Sequence, residues 1–526
     1  MTEPAVLSTE QSDGGSSSDD KGKLVSWLSR HNTILTAAAA CVLPILYLLF
    51  VDHYAINVLQ FDDWSTVTLV NSAVHGHLSL GQIWDQYYES RVPLVRAIFV
   101  FFGRIGRLDT RSVVFFCAFV AIAAYGVVLA LFRRYLGRRL TPIPVLVIGL
   151  IWFSLADVQL ALFAWQLSLY LPVFFFVVMV FAFIAPSTRR WLWFAVAVVA
   201  ALAGSLSFFQ GVILWPLGAI CILWCQPWAR RARIEIAVWI GAALVTVAPY
   251  LWGYNFNNNG CQAAISVRCS SVVGLQHPVR AFRYFIILIG NVIPGGYLGA
   301  PLRSFDRFEL VGLVVFVTAA FIVIQSWRYR ASRERIPLPL LFIVFSLLVD
   351  GTIALGRSGL SYADAVNNNR YIISNLVLLT GIVMYGWAHM PPFRLRADDH
   401  RSQARWTWCA LVALAILVIV QVVVATGFGL DNARKDREML SNQARLAVNL
   451  DRVPAEDRAC EIHVVLWDDV GVPPWFSQST IRTAAADKLG QFQSSSYRFY
   501  RKLGPPALSP LCTTAGTPSN VPTQPG

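Results

Sequence analysis

Phe61-Asp62-Asp63-Trp64 stands directly after a long apolar run, and Trp84-Asp85-Gln86-Tyr87-Tyr88-Glu89-Ser90-Arg91-Val92-Pro93 follows in the same polar stretch. Two adjacent carboxylates where a helix leaves a membrane are costly if buried and without purpose if merely solvated at that depth. Trp64 and Trp84 are residues of the membrane–water interface, where indole rings settle. The stretch is therefore expected to fold back on the membrane surface and present Asp62, Asp63 and Glu89 to a cavity. A carboxylate so placed can take a proton from an acceptor hydroxyl, or hold a divalent cation such as Mg²⁺ or Mn²⁺. A structural alternative stands beside this one: Asp62 caps the helix that follows and Asp63 adds to its dipole.

Long helices must position these residues. Of 526 residues 56% are hydrophobic and only 14% charged, against about 25% charged in an ordinary soluble domain. The apolar residues form long runs, near 33–51, 111–132, 142–156, 168–185, 190–206, 211–225, 235–254, 310–326, 336–350, 371–388 and 406–427. A spanning helix needs about 20 such residues, so the expected fold is an all-α polytopic membrane protein of about 11 transmembrane helices. Residues 1–32 form a long polar head unlike a cleaved signal and read as a disordered cytoplasmic tail before a signal anchor. A transmembrane body over 33–427 includes the first outside loop (52–110), and 428–526 is a small outside segment, disordered at its end. Within it Asp431–Leu450 has helical spacing and Cys460–Trp467 reads as a strand.

Orientation follows from the excess of Lys and Arg on cytoplasmic loops. Clusters at Arg133–Arg139, Arg189–Arg190, Arg230–Arg233, Arg328–Arg335 and Arg394–Arg405 fall between alternate spans, which puts the N-terminus inside and the C-terminus outside. The parity holds only if 284–300, interrupted by Asn291, Pro294, Gly295 and Gly296, is a re-entrant or surface segment. Five cysteines sit in spans, and the other four form pairs on the oxidising side, Cys261–Cys269 and Cys460–Cys512. Disulfides are the expected state there, with four free thiols as the alternative. The net charge of +13 reflects the inside rule and nearby anionic headgroups, not nucleic acid.

An anchor, an acidic pair in the first outside loop and some ten further spans resemble the GT-C class of integral membrane glycosyltransferases. The nearer likeness is to bacterial members with a Phe-Asp-Asp-Trp start and a later acidic-x-Arg element, here Glu89-Ser90-Arg91. Trp165-Gln166, Ser207-Phe208-Phe209-Gln210-Gly211 before Trp215-Pro216, and Gly356-Arg357 followed by Asn369-Arg370-Tyr371 fit the same group. The likeness covers roughly residues 33–390. It departs where Ser90 replaces a histidine and Asn369 a serine. What it implies is an inverting transferase moving a sugar from a polyprenyl-phosphate donor to a glycan or lipid-linked acceptor at the outer face of the plasma membrane. Asp62 or Asp63 would be the base, with Glu89, Arg91, Arg357, Arg370 and Tyr371 binding the donor. Arg357 and Arg370 flank one short outside loop, against the charge trend, and a planar fork suits phosphate.

Other polar residues carry less. His75 and His77 could join Asp62 or Asp63 at a metal, and Asp350 ends a span where it could orient Arg357 or Arg370. Asp398-Asp399-His400 belongs to the cytoplasmic side, and Trp467-Asp468-Asp469 reads as a turn. A P-loop or Rossmann glycine run is absent from the sequence, which argues against a soluble nucleotide-sugar donor. The alternatives are a lipid or glycan transporter (flippase), which more often shows internal repeats and intramembrane charges, and a glycan ligase using a lipid pyrophosphate.

Overall fold

The structure is a computed structural model that describes residues 16–137, 140–156, 158–185, 189–225, 230–256, 273–294, 305–328, 338–367, 369–389, 401–466, 478–507 and 512. Helix α1 (Ser16–Tyr54) carries the first span. It starts inside the stretch expected to be a disordered tail, at Ser16. After a single 3-10 turn, Phe61–Trp64, come α2 (Ser65–Val74), α3 (Leu80–Trp84), a minimal hairpin of β1 (Gln86–Tyr87) and β2 (Ser90–Arg91), and α4 (Pro93–Gly106). Ser79 and Gln82 cap α3 reciprocally: the Gln82 N–H donates to Ser79 Oγ and the Ser79 N–H to Gln82 Oε1, satisfying two orphan donors. Pro93 opens α4, where its missing N–H costs nothing.

The body follows as α5 (Thr110–Leu136), α6 (Pro142–Trp152), α7 (Val158–Leu162), α8 (Leu167–Ile184), α9 (Arg190–Ser205), α10 (Leu214–Cys225) and α11 (Arg230–Leu251). Then come α12 (Val273–Gln276), α13 (Pro278–Gly290), α14 (Asp306–Arg328), α15 (Leu338–Arg357), α16 (Tyr362–Asn367), α17 (Ile372–His389) and α18 (Arg401–Val448). Among the described residues 7 helices are long and apolar enough to cross a membrane, and Pro142–Trp152, Arg190–Ser205, Phe209–Trp224 and Ile372–Ala388 are shorter apolar helices. Together they coincide with the apolar runs of the sequence. The chain is an all-α, multi-pass membrane protein, an architecture that satisfies backbone groups within each segment.

Burial separates inner helices from outer ones. In α8 and α15, 67% of the apolar stretch is enclosed by protein, against 22% in α11 and 28% in α1, α14 and α18. The exposed apolar side chains of the outer set, among them Leu244, Val245, Val314 and Val423, suit a lipid surround. At the centre Phe176 of α8 stacks on Phe345 of α15 with ring centroids 4.1 Å apart, and Phe342 meets its edge. The most enclosed helices are thus the ones whose ends carry Arg357 and Trp165.

Helix α13 accounts for the apolar stretch around 284. At 13 residues it reaches only about 20 Å, short of the roughly 30 Å hydrocarbon core. Near its start Arg280 donates to Ser358 O and Leu360 O, and near its end the Asn291 side chain donates to Ala365 O and that of Asn375 to Leu288 O. It packs so closely on α14 that a Cβ at Gly312 would lie 1.9 Å from Ile286 O, so only glycine fits. The described part ends at residue 294, and residues 295–304 lie outside the described residues.

Beyond the last span α18 runs on unbroken for a total of 48 residues, taking in the helical spacing after Asp431. The segment continues as α19 (Arg458–Leu466), α20 (Gln478–Ala486) and α21 (Ser494–Leu503). The strand expected over Cys460–Trp467 is instead α19. Among the described residues no sheet lies beside its β-formers to pair with them, and strand preference depends on such a context. Cys460 and Cys512 are joined as a disulfide, Cα atoms 5.6 Å apart. Cys261 and Cys269, Asp398–His400 and Trp467–Asp469 lie outside the described residues.

The arginine clusters and the ends of the helices give a labelling test. With the N-terminus inside, a cysteine placed at Arg307, just within α14, reacts with an impermeant maleimide on intact cells. One placed at Arg133, near the end of α5, reacts only after permeabilisation. The reverse pattern would invert the chain in the membrane.

Candidate functional site

Phe61 and Tyr88 are non-glycine residues in the left-handed region, with φ of 41° and 48°. Each immediately precedes a carboxylate of interest, Asp62 and Glu89. Such a conformation costs about 1 kcal/mol or more and persists only where surroundings impose it. At Tyr88 the cause is local. Gln86 pairs with Arg91 and Tyr87 with Ser90, so Tyr88 and Glu89 form a two-residue hairpin turn, which favours positive φ at its first position.

The hairpin is fixed from below by the end of α11. The Arg91 guanidinium donates to Trp84 O, Tyr250 O and Trp252 O, each at 2.9 Å, and its backbone N–H donates to the Tyr250 hydroxyl. The Tyr254 hydroxyl donates to Glu89 O at 2.8 Å, and Gln86 exchanges hydrogen bonds with the Asn255 backbone. The Phe209 N–H of the Ser207–Gly211 motif donates to Ser90 Oγ. Arg91 is therefore not among the residues gathered for a ligand. Its fork is used on three backbone carbonyls, which corrects the expectation that it binds phosphate.

Glu89, at the tip, meets Arg357 at the end of α15, with Nη2 2.8 Å from Oε1. Asp62 accepts from the Tyr87 hydroxyl at 2.5 Å through Oδ1, while its Oδ2 lies 3.6 Å from Arg370 Nη1. That distance is an ion pair rather than a hydrogen bond. Both guanidiniums stand over the Tyr371 ring, 5.2 and 5.5 Å from its centroid, where a ring face attracts cations. The Nε of Arg370 is buried with no partner among the described residues. Asp62, Glu89, Arg357, Arg370 and Tyr371, scattered over some three hundred positions, thus form one cluster. Its charged side chains keep between 14% and 24% exposure, enough for a ligand to reach them.

The acidic pair is split by its surroundings. Asp63 is fully buried and turns back into the protein, where Oδ2 accepts from the Gln60 N–H in a reciprocal cap. The cap falls to Asp63, not to Asp62 as the structural alternative had it. Burial pushes the Asp63 carboxyl well above the ordinary aspartate range, aided by Asp62 and opposed by backbone N–H groups of Gln60 and Trp165. Burial also raises Asp62, with Arg370 and the Tyr87 hydroxyl only partly offsetting it. For Glu89 burial is again the largest influence and raises it, yet the charge and hydrogen bond of Arg357 prevail and hold it below the ordinary glutamate range. Glu89 is the fixed anion, and Asp62 is the carboxylate poised to accept a proton.

Asp350 does not reach either arginine; Ser374 Oγ donates to it at 2.5 Å inside the α15–α17 interface. His75 contacts Asn71 and Asp487 on the surface. Among the described residues no three His, Cys, Asp or Glu side chains gather as a metal set. Asp62 and Glu89 already face arginines and Asp63 points away, so these residues do not fit a resident divalent cation.

Tyr87 was unremarkable in the sequence, yet it holds Asp62 and packs on Trp165 at 4.8 Å. The contact of the C-terminal segment with the site has no signal in the sequence. Gln491, fully buried, accepts from the Leu59 N–H at 2.9 Å, and Asn57 donates to Gly490 O at 3.0 Å. Gly490 has φ +53°, and a Cβ there would lie 2.8 Å from Leu59 Cγ. Gln493 and Asp487 add bonds to Gly106 O and Asn71. The strand of chain leading into Asp62 is thereby braced by residues over 400 positions away, a pairing without any local signal.

No protein-family model matches the chain, and no curated protein matches it. A solved structure similar to it is that of the Archaeoglobus fulgidus oligosaccharyltransferase in the apo form, at 13% identity and a TM-score of 0.42. The likeness takes in 89% of this chain and 66% of that one, so the chain spans just under two thirds of that protein's length.

The brace can be tested without any substrate. Gln491→Ala leaves the buried Leu59 N–H without an acceptor, costing about 1–3 kcal/mol. Hydrogen exchange at 57–64 should accelerate and the melting temperature fall. Unchanged exchange in Gln491→Ala would remove the C-terminal segment from the site.

Proposed function

We propose that the chain is an inverting membrane glycosyltransferase using a polyprenyl-monophosphate sugar as donor, at the outer face of the plasma membrane. The observation that carries this reading is the Asp62–Arg370–Tyr371–Arg357–Glu89 cluster at the ends of the two inner helices α15 and α17. Beside it, Tyr371 and Ser374 border a narrow apolar crevice formed with Leu169, Val173, Phe345 and Ile353. The acceptor is a glycan or lipid-linked sugar.

In the proposed step the donor phosphate sits on Arg357 and Arg370, whose forks match its oxygens. The acceptor hydroxyl attacks the anomeric carbon from the opposite side. Its proton passes to Asp62, the bond from the anomeric carbon to the phosphate oxygen breaks, and the phosphate leaves as an anion held by the two arginines. One base therefore suffices, because a phosphate needs no strong acid to depart. Tyr87, kept protonated by burial, directs one Asp62 oxygen and leaves the other toward the site. Glu89 holds Arg357 in place until the donor arrives.

Asp62→Asn preserves size and the Tyr87 hydrogen bond but removes the base, so turnover should fall about 10²–10⁴-fold with insertion and lipid retention intact. Asp63→Asn should cost far less, since an amide oxygen still caps Gln60. The pH profile carries the same assignment. The base must be ionised and its carboxyl is raised, so activity should fall on acidification through a value above the ordinary aspartate range. That acid limb should vanish from the residual rate of Asp62→Asn. Equal losses in the two variants, or activity retained in both, would refute the proposed base.

A further inference from the structure

Helix α18 leaves the last span without a break, and the character of its surface changes as it does so. Arg434, Arg437 and Arg445 line an open groove of about 570 Å³ whose far wall is His53 and Tyr54, the last residues of α1. The only acidic side chain among its lining residues is Glu438, so three guanidiniums stand against one carboxylate. None of these residues belongs to the Asp62 cluster.

Depth follows from helix geometry. The apolar run of α18 ends near 427, and at 1.5 Å per residue Arg434 stands about 10 Å further out. The headgroup layer extends roughly 5–8 Å beyond the hydrocarbon on each side. Tyr54, an interfacial residue type, ends the span Asn32–Tyr54 on the opposite wall. Arg434 therefore stands just outside the headgroup layer, and its long side chain can reach back to the outer edge of the headgroups.

Two of the arginines are held in place by the fold. Arg437 Nη1 donates to His53 O at 2.8 Å, tying α18 to the end of α1. Arg445 donates to Gly504 O and Pro505 O at 3.0 and 2.9 Å, tying it to the chain after α21. Arg434 is exposed and has no hydrogen-bond or ion-pair partner among the described residues. A preformed wall with one uncommitted fork at its mouth suits a phosphate better than a carboxylate-rich or cationic ligand.

We propose that this groove is a second anion site, binding a phosphoryl group at the membrane surface, whether the phosphodiester of an anionic lipid headgroup or a soluble phosphate. The site stands apart from the proposed transferase reaction and does not rest on it.

The test uses the full-length protein in detergent, titrated with phosphatidylglycerol or phosphatidylcholine and read by native mass spectrometry. The parent should retain phosphatidylglycerol over phosphatidylcholine. Arg434→Gln, which breaks no bond within the protein, should weaken that retention about fivefold, and Arg434→Gln with Arg437→Gln more. Glu438→Gln should change it in the opposite direction and tighten binding. Inorganic phosphate then separates the sources: displacement of the lipid assigns the site to a phosphate group as such, and failure to displace assigns it to the intact lipid. Equal retention by parent, Arg434→Gln and the double variant, or weaker binding by Glu438→Gln, would overturn the site.

Discussion

Charge at the edge of a membrane must be matched, because each unpaired carboxylate or guanidinium loses hydration that little else replaces. Asp62 and Glu89 meet that demand by facing Arg370 and Arg357 across the Tyr371 ring. The match is closed in the absence of a ligand, but it is not tight. Arg370 approaches Asp62 only to 3.6 Å and keeps its Nε without a partner. A ligand phosphate could take over these donors at little cost, and Asp62 would then be released from its counter-ion as the reaction needs it.

Holding that balance requires rigid parts on both sides. The arginines come from the ends of α15 and α17, which belong to the enclosed centre of the bundle rather than its lipid face. The carboxylates come from a short polar segment that could not hold its own shape. Its hairpin is tied to the end of α11 by Arg91 and Tyr254, and its entry is tied to Gly490 and Gln491 of the C-terminal segment. Two left-handed residues, Phe61 and Tyr88, sit where these constraints converge. Strain at those positions is consistent with side chains aimed rather than merely accommodated.

Long apolar runs are self-sufficient signals, so the spans could be placed from the sequence: each run satisfies its own backbone bonds wherever it lies. The short α13 could be separated from them because Asn291 and Pro294 interrupt its apolar stretch. Asp62, Glu89, Arg357 and Arg370 were legible as polar residues at the mouths of spans, where charge needs a purpose. Their mutual pairing was not, because it joins positions whose separation no periodicity reports. The difference between Asp62 and Asp63 was equally hidden. It depends on which way one 3-10 turn faces, and hence on Gln60, Tyr87 and Trp165 together. Arg91 misled for the same reason: an arginine beside an acidic residue reads the same whether its fork meets a ligand or three backbone carbonyls. The strand read at Cys460–Trp467 failed because β-formers count only where a sheet receives them.

The proposed role of the arginine pair can be reached before any sugar is known. The protein should be purified with its native lipid and the bound species identified by mass spectrometry, for the parent, Arg357→Ala and Arg370→Lys. A glycosylated polyprenyl monophosphate should accompany the parent and be largely lost from both variants, since Lys keeps the charge but not the fork. Equal retention of that lipid by all three would contradict a donor site on Arg357 and Arg370.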